Sequence, residues 1–160
     1  MRIRAICSSL ALGCLCAAAG APALSGEKGH YTGLAVLNST KFTELKSPEG
    51  HPGKSVMCGE LEGLMFNDDK KPFLDKAHYI VQYVIDGNNW SSCNKTFTMK
   101  DGDKVFARCE SRNTSSGDGT LILVGGTGKY AGIRGSGTFK FRPASGAVNW
   151  DVLEIDYEIP

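Results

Sequence analysis

Two carboxylates stand two residues apart in Cys58-Gly59-Glu60-Leu61-Glu62. In an extended segment that spacing places Glu60 and Glu62 on one face. A carboxyl group on a face that looks into an apolar interior has a raised pKa and can act as acid or base. The same pair on an outward face is a solvated acidic edge, the commoner arrangement. His78, beside Tyr79 where an apolar run begins, would transfer a proton or hold a ligand, although a lone histidine is more often neither. His30 and His51 are weaker candidates, and the three histidines have no metal-ligand spacing, so no metal is expected. The aromatic side chains Tyr79, Tyr83, Tyr130 and Phe139 are the candidate ligand-binding residues. Asp101 and Asp103 lack the spaced acids and terminal Glu of a calcium loop and read as turn chemistry. Ser136, in Gly135-Ser136-Gly137, lacks the nucleophile-elbow pattern of a hydrolase.

The elements that position these residues are short. From Gly29 onward no apolar spacing of helical period is sustained, and β-branched and aromatic runs recur between Gly, Asn, Asp and Pro clusters. The reading is all-β, with eight strands at 30–37, 55–66, 78–85, 91–99, 104–111, 120–124, 135–142 and 148–158. Residues 45–54 and 67–72 are polar loops, neither long enough to link two domains. In the last strand Leu153, Ile155 and Tyr157 share one face, while Glu154, Asp156 and Glu158 share the other, which should meet solvent. In the third, Tyr79, Val81, Tyr83 and Ile85 stand opposite Ile80, Gln82 and Val84, so both faces are largely apolar and the strand should be covered on both sides. A closed or nearly closed sheet answers to this, and eight strands enclose an interior that side chains fill or that holds one small ligand.

The clearest turn is Lys100-Asp101-Gly102, a three-residue hairpin loop with Gly102 in the left-handed conformation. That register sets Phe97 opposite Val105, Lys95 opposite Ala107, and Cys93 opposite Cys109. Opposed residues have Cβ atoms about 4.5 to 5.5 Å apart, near what a disulfide spans. A Cys93–Cys109 bridge is therefore expected, with Cys58 unpaired; a bridge through Cys58, or three buried thiols, are the alternatives.

The chain opens with Arg2 and Arg4, an uncharged apolar stretch from Ala5 to Ala19, and Ala21-Pro22-Ala23. This is the pattern of a secretory signal peptide cleaved near Ala23, and it falls short of the roughly 20 apolar residues of a membrane span. A lipoprotein acylated at Cys14, after Leu12-Gly13, is the lesser alternative. The mature chain is then one domain, 24–160, secreted or periplasmic, in a compartment that permits disulfides. Loss of Arg2 and Arg4 moves the balance from 18 bases against 17 acids to 16 against 17. Near-neutrality without a basic run argues against nucleic acid and anionic membrane surfaces. Export also argues against a nucleotide cofactor, and none is expected.

From Val124 to Phe139 the chain holds six glycines in sixteen residues, in Val124-Gly125-Gly126-Thr127-Gly128-Lys129-Tyr130 and onward. No helix follows, so a phosphate loop is rejected. Glycines for a tight turn, with Tyr130 and Ile133 plugging a barrel end, is the structural reading. This segment resembles the Gly-Gly-Thr-Gly-Lys-aromatic stretch of the allene oxide cyclase and dirigent family, and also small secreted bacterial proteins of unassigned role. In the latter an Asp-Gly-Asp-Lys-Val-Phe hairpin precedes it, as Asp101 to Phe106 does here. The resemblance spans residues 30–160 and implies a calycin-like, eight-stranded antiparallel β-barrel that holds a small hydrophobic, often oxygenated molecule. Members of that family either cyclise a reactive substrate by confining its shape or steer radical coupling without oxidising anything themselves, with inward acids and aromatics as the polar groups. For this chain the expectation is binding without chemical change or, alternatively, cofactor-free isomerisation or cyclisation. A protein-interaction module is the third reading, and no oligomeric state is read from the sequence.

Overall fold

In the computed structural model of the chain, residues 26–47, 55–67, 71–87 and 89–160 are described. The expected signal segment, Cys14, His51 and most of the 45–54 loop lie outside them. Eight antiparallel strands follow in chain order: β1 (Glu27–Leu45), β2 (Val56–Asn67), β3 (His78–Asp86), β4 (Trp90–Thr98), β5 (Lys104–Ser111), β6 (Asp118–Gly126), β7 (Arg134–Ser145) and β8 (Val148–Ile159). Each pairs with its neighbour in sequence and β1 closes on β8, so the sheet is a closed barrel with no free edge.

The expected eight strands are all present, and the first is much longer than expected. Apolar alternation in β1 ends at Leu37, and every residue from Asn38 to Leu45 is exposed. The strand continues because Lys41 to Leu45 pair with Glu60 to Val56 of β2, past a register shift between Ser39 and Lys41. Backbone pairing without burial leaves no hydrophobic signal.

The hairpin register holds throughout β4 and β5. Phe97 pairs with Val105, Lys95 with Ala107 and Cys93 with Cys109, and Gly102 takes φ +92° at the turn. Cys93 and Cys109 are bridged and Cys58 is free. Closing 15 intervening residues is worth about 3 kcal/mol on the chain-entropy account. The bridge fits an oxidising compartment.

Alternation sorts the rest. In β8, Asp151, Leu153, Ile155 and Tyr157 are buried, and Glu154, Asp156 and Glu158 face solvent as expected. In β3 the inner face carries buried Tyr79 and Val81, but the outer face is not covered: Gln82 is exposed and Val84 is 41 % exposed. The apolar outer residues there are β-branched side chains that suit the pleat, and among the described residues no second layer lies over them. Among the described residues no helix is long and apolar enough to cross a membrane.

One end of the barrel is packed shut. Phe73, in the segment before β3, meets Tyr31, Tyr130 and Tyr157 at ring-centroid distances of 5.9, 5.7 and 4.0 Å. Each such ring contributes about 1.5–3 kcal/mol of burial. Tyr130 and Ile133 are buried beside them, where the glycine segment crosses that end. A short 3-10 helix, Gly128–Tyr130, is clasped to the β4–β5 turn. The Lys129 amide donates to Asp103 Oδ2 at 3.0 Å, Lys129 Nζ meets Asp101 Oδ2 at 2.7 Å, and the Lys104 amide donates to Thr127 Oγ1 at 2.8 Å. Gly128 has φ +55°, and a Cβ there would lie 1.9 Å from Asp103 Oδ1. A side chain there would be strained by the positive φ and would have to displace the Asp103 carboxylate, so Gly128 and the Asp-Gly-Asp turn belong to one clasp.

Candidate functional site

The opposite end is open. Residues near the ends of β3, β5 and β7 and the starts of β4 and β8, with Ser39 of β1 and Leu61 of β2, surround a cavity of about 350 Å³. Ser39, Ser91, Ser111 and Asn149 lie toward its mouth, and Leu61, Val81, Tyr83, Phe139 and Phe141 line its walls. Its depth ends on Lys95 and Asp151. Below them Tyr79 and Phe97 are stacked, with centroids 4.8 Å apart, and seal the lumen from the closed end.

Strand alternation puts the charged pair inside. On β4, Lys95 lies between inward Cys93 and Phe97; on β8, Asp151 lies in the inward series between Asn149 and Leu153. Closure of the sheet then brings together residues 56 apart in sequence. Lys95 is 2 % exposed and Asp151 1 %. Lys95 Nζ donates to Asp151 Oδ2, and the Tyr79 hydroxyl donates to the same oxygen at 2.7 Å. The ammonium also lies over the Phe139 ring, 4.2 Å from its centroid, and 5.4 Å from that of Tyr79. Asp151 Oδ1 is buried without a hydrogen-bond partner among the described residues.

Burial moves the pKa values of this group. It pushes Lys95 below its ordinary value, against the pull of Asp151. It pushes Tyr79 well above its ordinary value, with the Asp151 charge adding to the effect. Tyr79 therefore remains a phenol at neutral pH and keeps donating to Asp151. A buried ion pair of this kind roughly breaks even against apolar side chains of the same volume.

The residues singled out from the sequence divide between these regions. Tyr83 and Phe139 line the cavity, and Tyr79 lies beneath it holding Asp151. Tyr130 lies at the closed end, in the aromatic plug. Glu60 and Glu62 are on the outer face, because Leu61 and Met65 take the inward positions of β2. Glu60 is bonded by Lys41 at 2.9 Å and Gln82 at 3.0 Å, and these hold its carboxyl below the usual range. Glu62 Oε1 and His78 Nε2 are 2.7 Å apart, so the structure does bring these two candidates together, on the outside of the barrel. His30 pairs with Asp156 at 2.8 Å, also outside. A larger groove of about 700 Å³ runs past Lys41, Glu60, Gln82 and Arg108. Its Glu60 is already engaged by Lys41 and Gln82, whereas the cavity at the open end includes a buried charge pair and is the stronger site. Among the described residues no three His, Cys, Asp or Glu side chains are gathered as a metal site requires.

Lys95 and Asp151 are the residues that sequence reasoning missed. The signal was present: each is a charge at an inward position of an alternating strand, and the two have opposite sign.

No family model matches the chain, and no curated protein is significantly similar to it. Solved structures do match. The pterocarpan synthase dirigent protein GePTS1 aligns with 85 % of this chain and 93 % of its own length, at 15 % identity and a TM-score of 0.55. The pterocarpan synthase dirigent protein PsPTS1 aligns with 83 % and 95 %, at 16 % identity and a TM-score of 0.49. The first likeness establishes a shared dirigent-type barrel fold, as expected from the glycine segment, and nothing finer.

Proposed function

We propose that the chain is an exported barrel that binds one small, largely apolar molecule in the cavity at its open end. The observation that carries this reading is a largely apolar cavity, open at one end, whose lining includes a buried carboxylate with one oxygen unpartnered among the described residues. A volume of about 350 Å³ lies at the low end of ligand pockets, which combine apolar walls with few polar groups. Asp151 Oδ1 would accept a hydrogen bond from a ligand hydroxyl, and the Phe139, Tyr83 and Val81 walls would take its apolar body. The Cys93–Cys109 bridge and the N-terminal signal pattern support an exported site of action.

Cofactor-free isomerisation or cyclisation is a second reading, favoured by one feature. Asp151 is an inward carboxylate beside aromatic rings in an open cavity, the position in which acid–base help is effective. It would fill the role considered for Glu60, Glu62 or His78.

Titration with the uncharged fluorophore phenylnaphthylamine tests the binding reading. One saturable site per chain is expected. Ser91→Trp, at the mouth, should weaken it about tenfold, equivalent to 1.4 kcal/mol, with the unfolding midpoint unchanged. Absence of saturable binding, or binding indifferent to the mouth substitution, contradicts the reading.

A further inference from the structure

We propose that Lys95 is a carbonyl-capturing amine: an apolar aldehyde or ketone seated in the open-end cavity condenses with its Nζ, giving a protonated imine whose counterion is Asp151. The inference rests on the cavity being a ligand site, as proposed above, and adds the functional group that the site takes.

Three features converge on this chemistry. The first is placement, since Lys95 and Asp151 belong to the lining of the cavity and a molecule seated in it packs against them. The second is a base in contact, because Nζ is bonded to Asp151 Oδ2, while Oδ1 keeps a lone pair free for a second proton. The third is a site prepared for a cation: the Phe139 and Tyr79 rings face the nitrogen at 4.2 and 5.4 Å, and the Tyr79 hydroxyl steadies the carboxylate at 2.7 Å. Burial also favours the neutral amine, the nucleophilic form, as in other lysines desolvated in apolar pockets.

The step balances without a further reactant. Asp151 takes one proton from the ammonium, and the freed lone pair forms the N–C bond as the C=O π bond breaks. That proton passes from Asp151 to the former carbonyl oxygen. A second N–H proton follows the same route, and the hydroxyl leaves as water while the C=N bond forms. Ammonium plus aldehyde becomes protonated imine plus water, and Asp151 ends as it began, a carboxylate facing a cation. Neither oxidation nor reduction occurs.

The wild-type protein tests this with naphthaldehyde as probe. Incubation with cyanoborohydride traps any imine as a stable amine, and peptide mapping locates it. Lys95 should be labelled roughly tenfold faster than any exposed lysine, as expected for a desolvated amine nucleophile. Naphthalenemethanol, which has the same ring system but no carbonyl, should compete. Lys95→Arg keeps the charge and should lose the label while surface lysines react as before. If naphthalenemethanol displaces phenylnaphthylamine but label spreads over surface lysines and spares Lys95, carbonyl capture is wrong and binding stands. If neither naphthalene compound enters the cavity, both readings fall.

Discussion

At one end of the barrel Tyr31, Phe73, Tyr130 and Tyr157 pack ring against ring, and an Asp-Gly-Asp turn is clasped to a 3-10 helix. At the other end the lumen stays open for about 350 Å³ and stops on a buried Lys95–Asp151 pair. The charged side chains of the clasp, Asp101 and Lys129, are exposed and bonded to each other. The Lys95–Asp151 pair is buried, and Asp151 Oδ1 is left without a hydrogen-bond partner among the described residues. The contrast separates two uses of one scaffold: closing a barrel needs glycines, rings and a clasp, whereas a charge pair in an apolar lumen costs desolvation and adds little to the fold. Substitutions at the closed end should change stability without changing binding, and those at the open end should change both or binding alone.

The largest expected effect is at the charge pair. Lys95→Met or Asp151→Leu leaves one buried charge uncompensated and should lower stability by about 3–5 kcal/mol in denaturant unfolding. The double variant removes both charges and should recover most of that loss. If the pair serves a ligand, the recovered protein will bind phenylnaphthylamine yet fail to retain naphthaldehyde or any hydroxylated ligand. A double variant as unstable as either single one would show that the pair is structural.

Gly128→Ala comes next. Its φ of +55° and the Asp103 carboxylate in the way strain the clasp, at a cost of about 1–3 kcal/mol. Phenylnaphthylamine affinity should not move. A change in affinity would break the separation between the two ends.

The smallest effect is an acid one. Lys129, bonded to the Asp101 carboxylate, holds that group below its ordinary 3.8, and the Asp103 amide adds to this. The folded value lies under the unfolded one, so the contribution is present above 3.8 and is lost as pH falls through the lowered value. Both side chains are exposed, so added salt should weaken it. In Lys129→Met the acid limb of the stability curve should flatten slightly, with binding at neutral pH intact. Unfolding curves from neutral to acid pH, at low and high salt, check this.

Much of the fold was legible because its signals are local. Alternation marked eight strands, and one glycine turn set a register that placed Cys93 against Cys109. The far half of β1 was not legible, since it pairs without burying anything. The site was harder for a different reason. Lys95 on β4 and Asp151 on β8 each read as an isolated polar residue until the closed sheet brings them into contact. From sequence Tyr130 is both a candidate ligand residue and, with Ile133, a plug of the barrel end, and its packing on Phe73 agrees with the second reading. Glu60 and Glu62 drew notice as a pair, yet the parity of β2, set by Leu61 and Met65, turns them outward.

The central claim is that the open end holds a small molecule, and native mass spectrometry of the full protein purified from its own cells tests it most directly. The account predicts a folded-state mass that exceeds the denatured chain by one small molecule, released on unfolding and displaced by naphthalenemethanol. Identical folded and denatured masses, from a protein that also fails to bind phenylnaphthylamine, would contradict it.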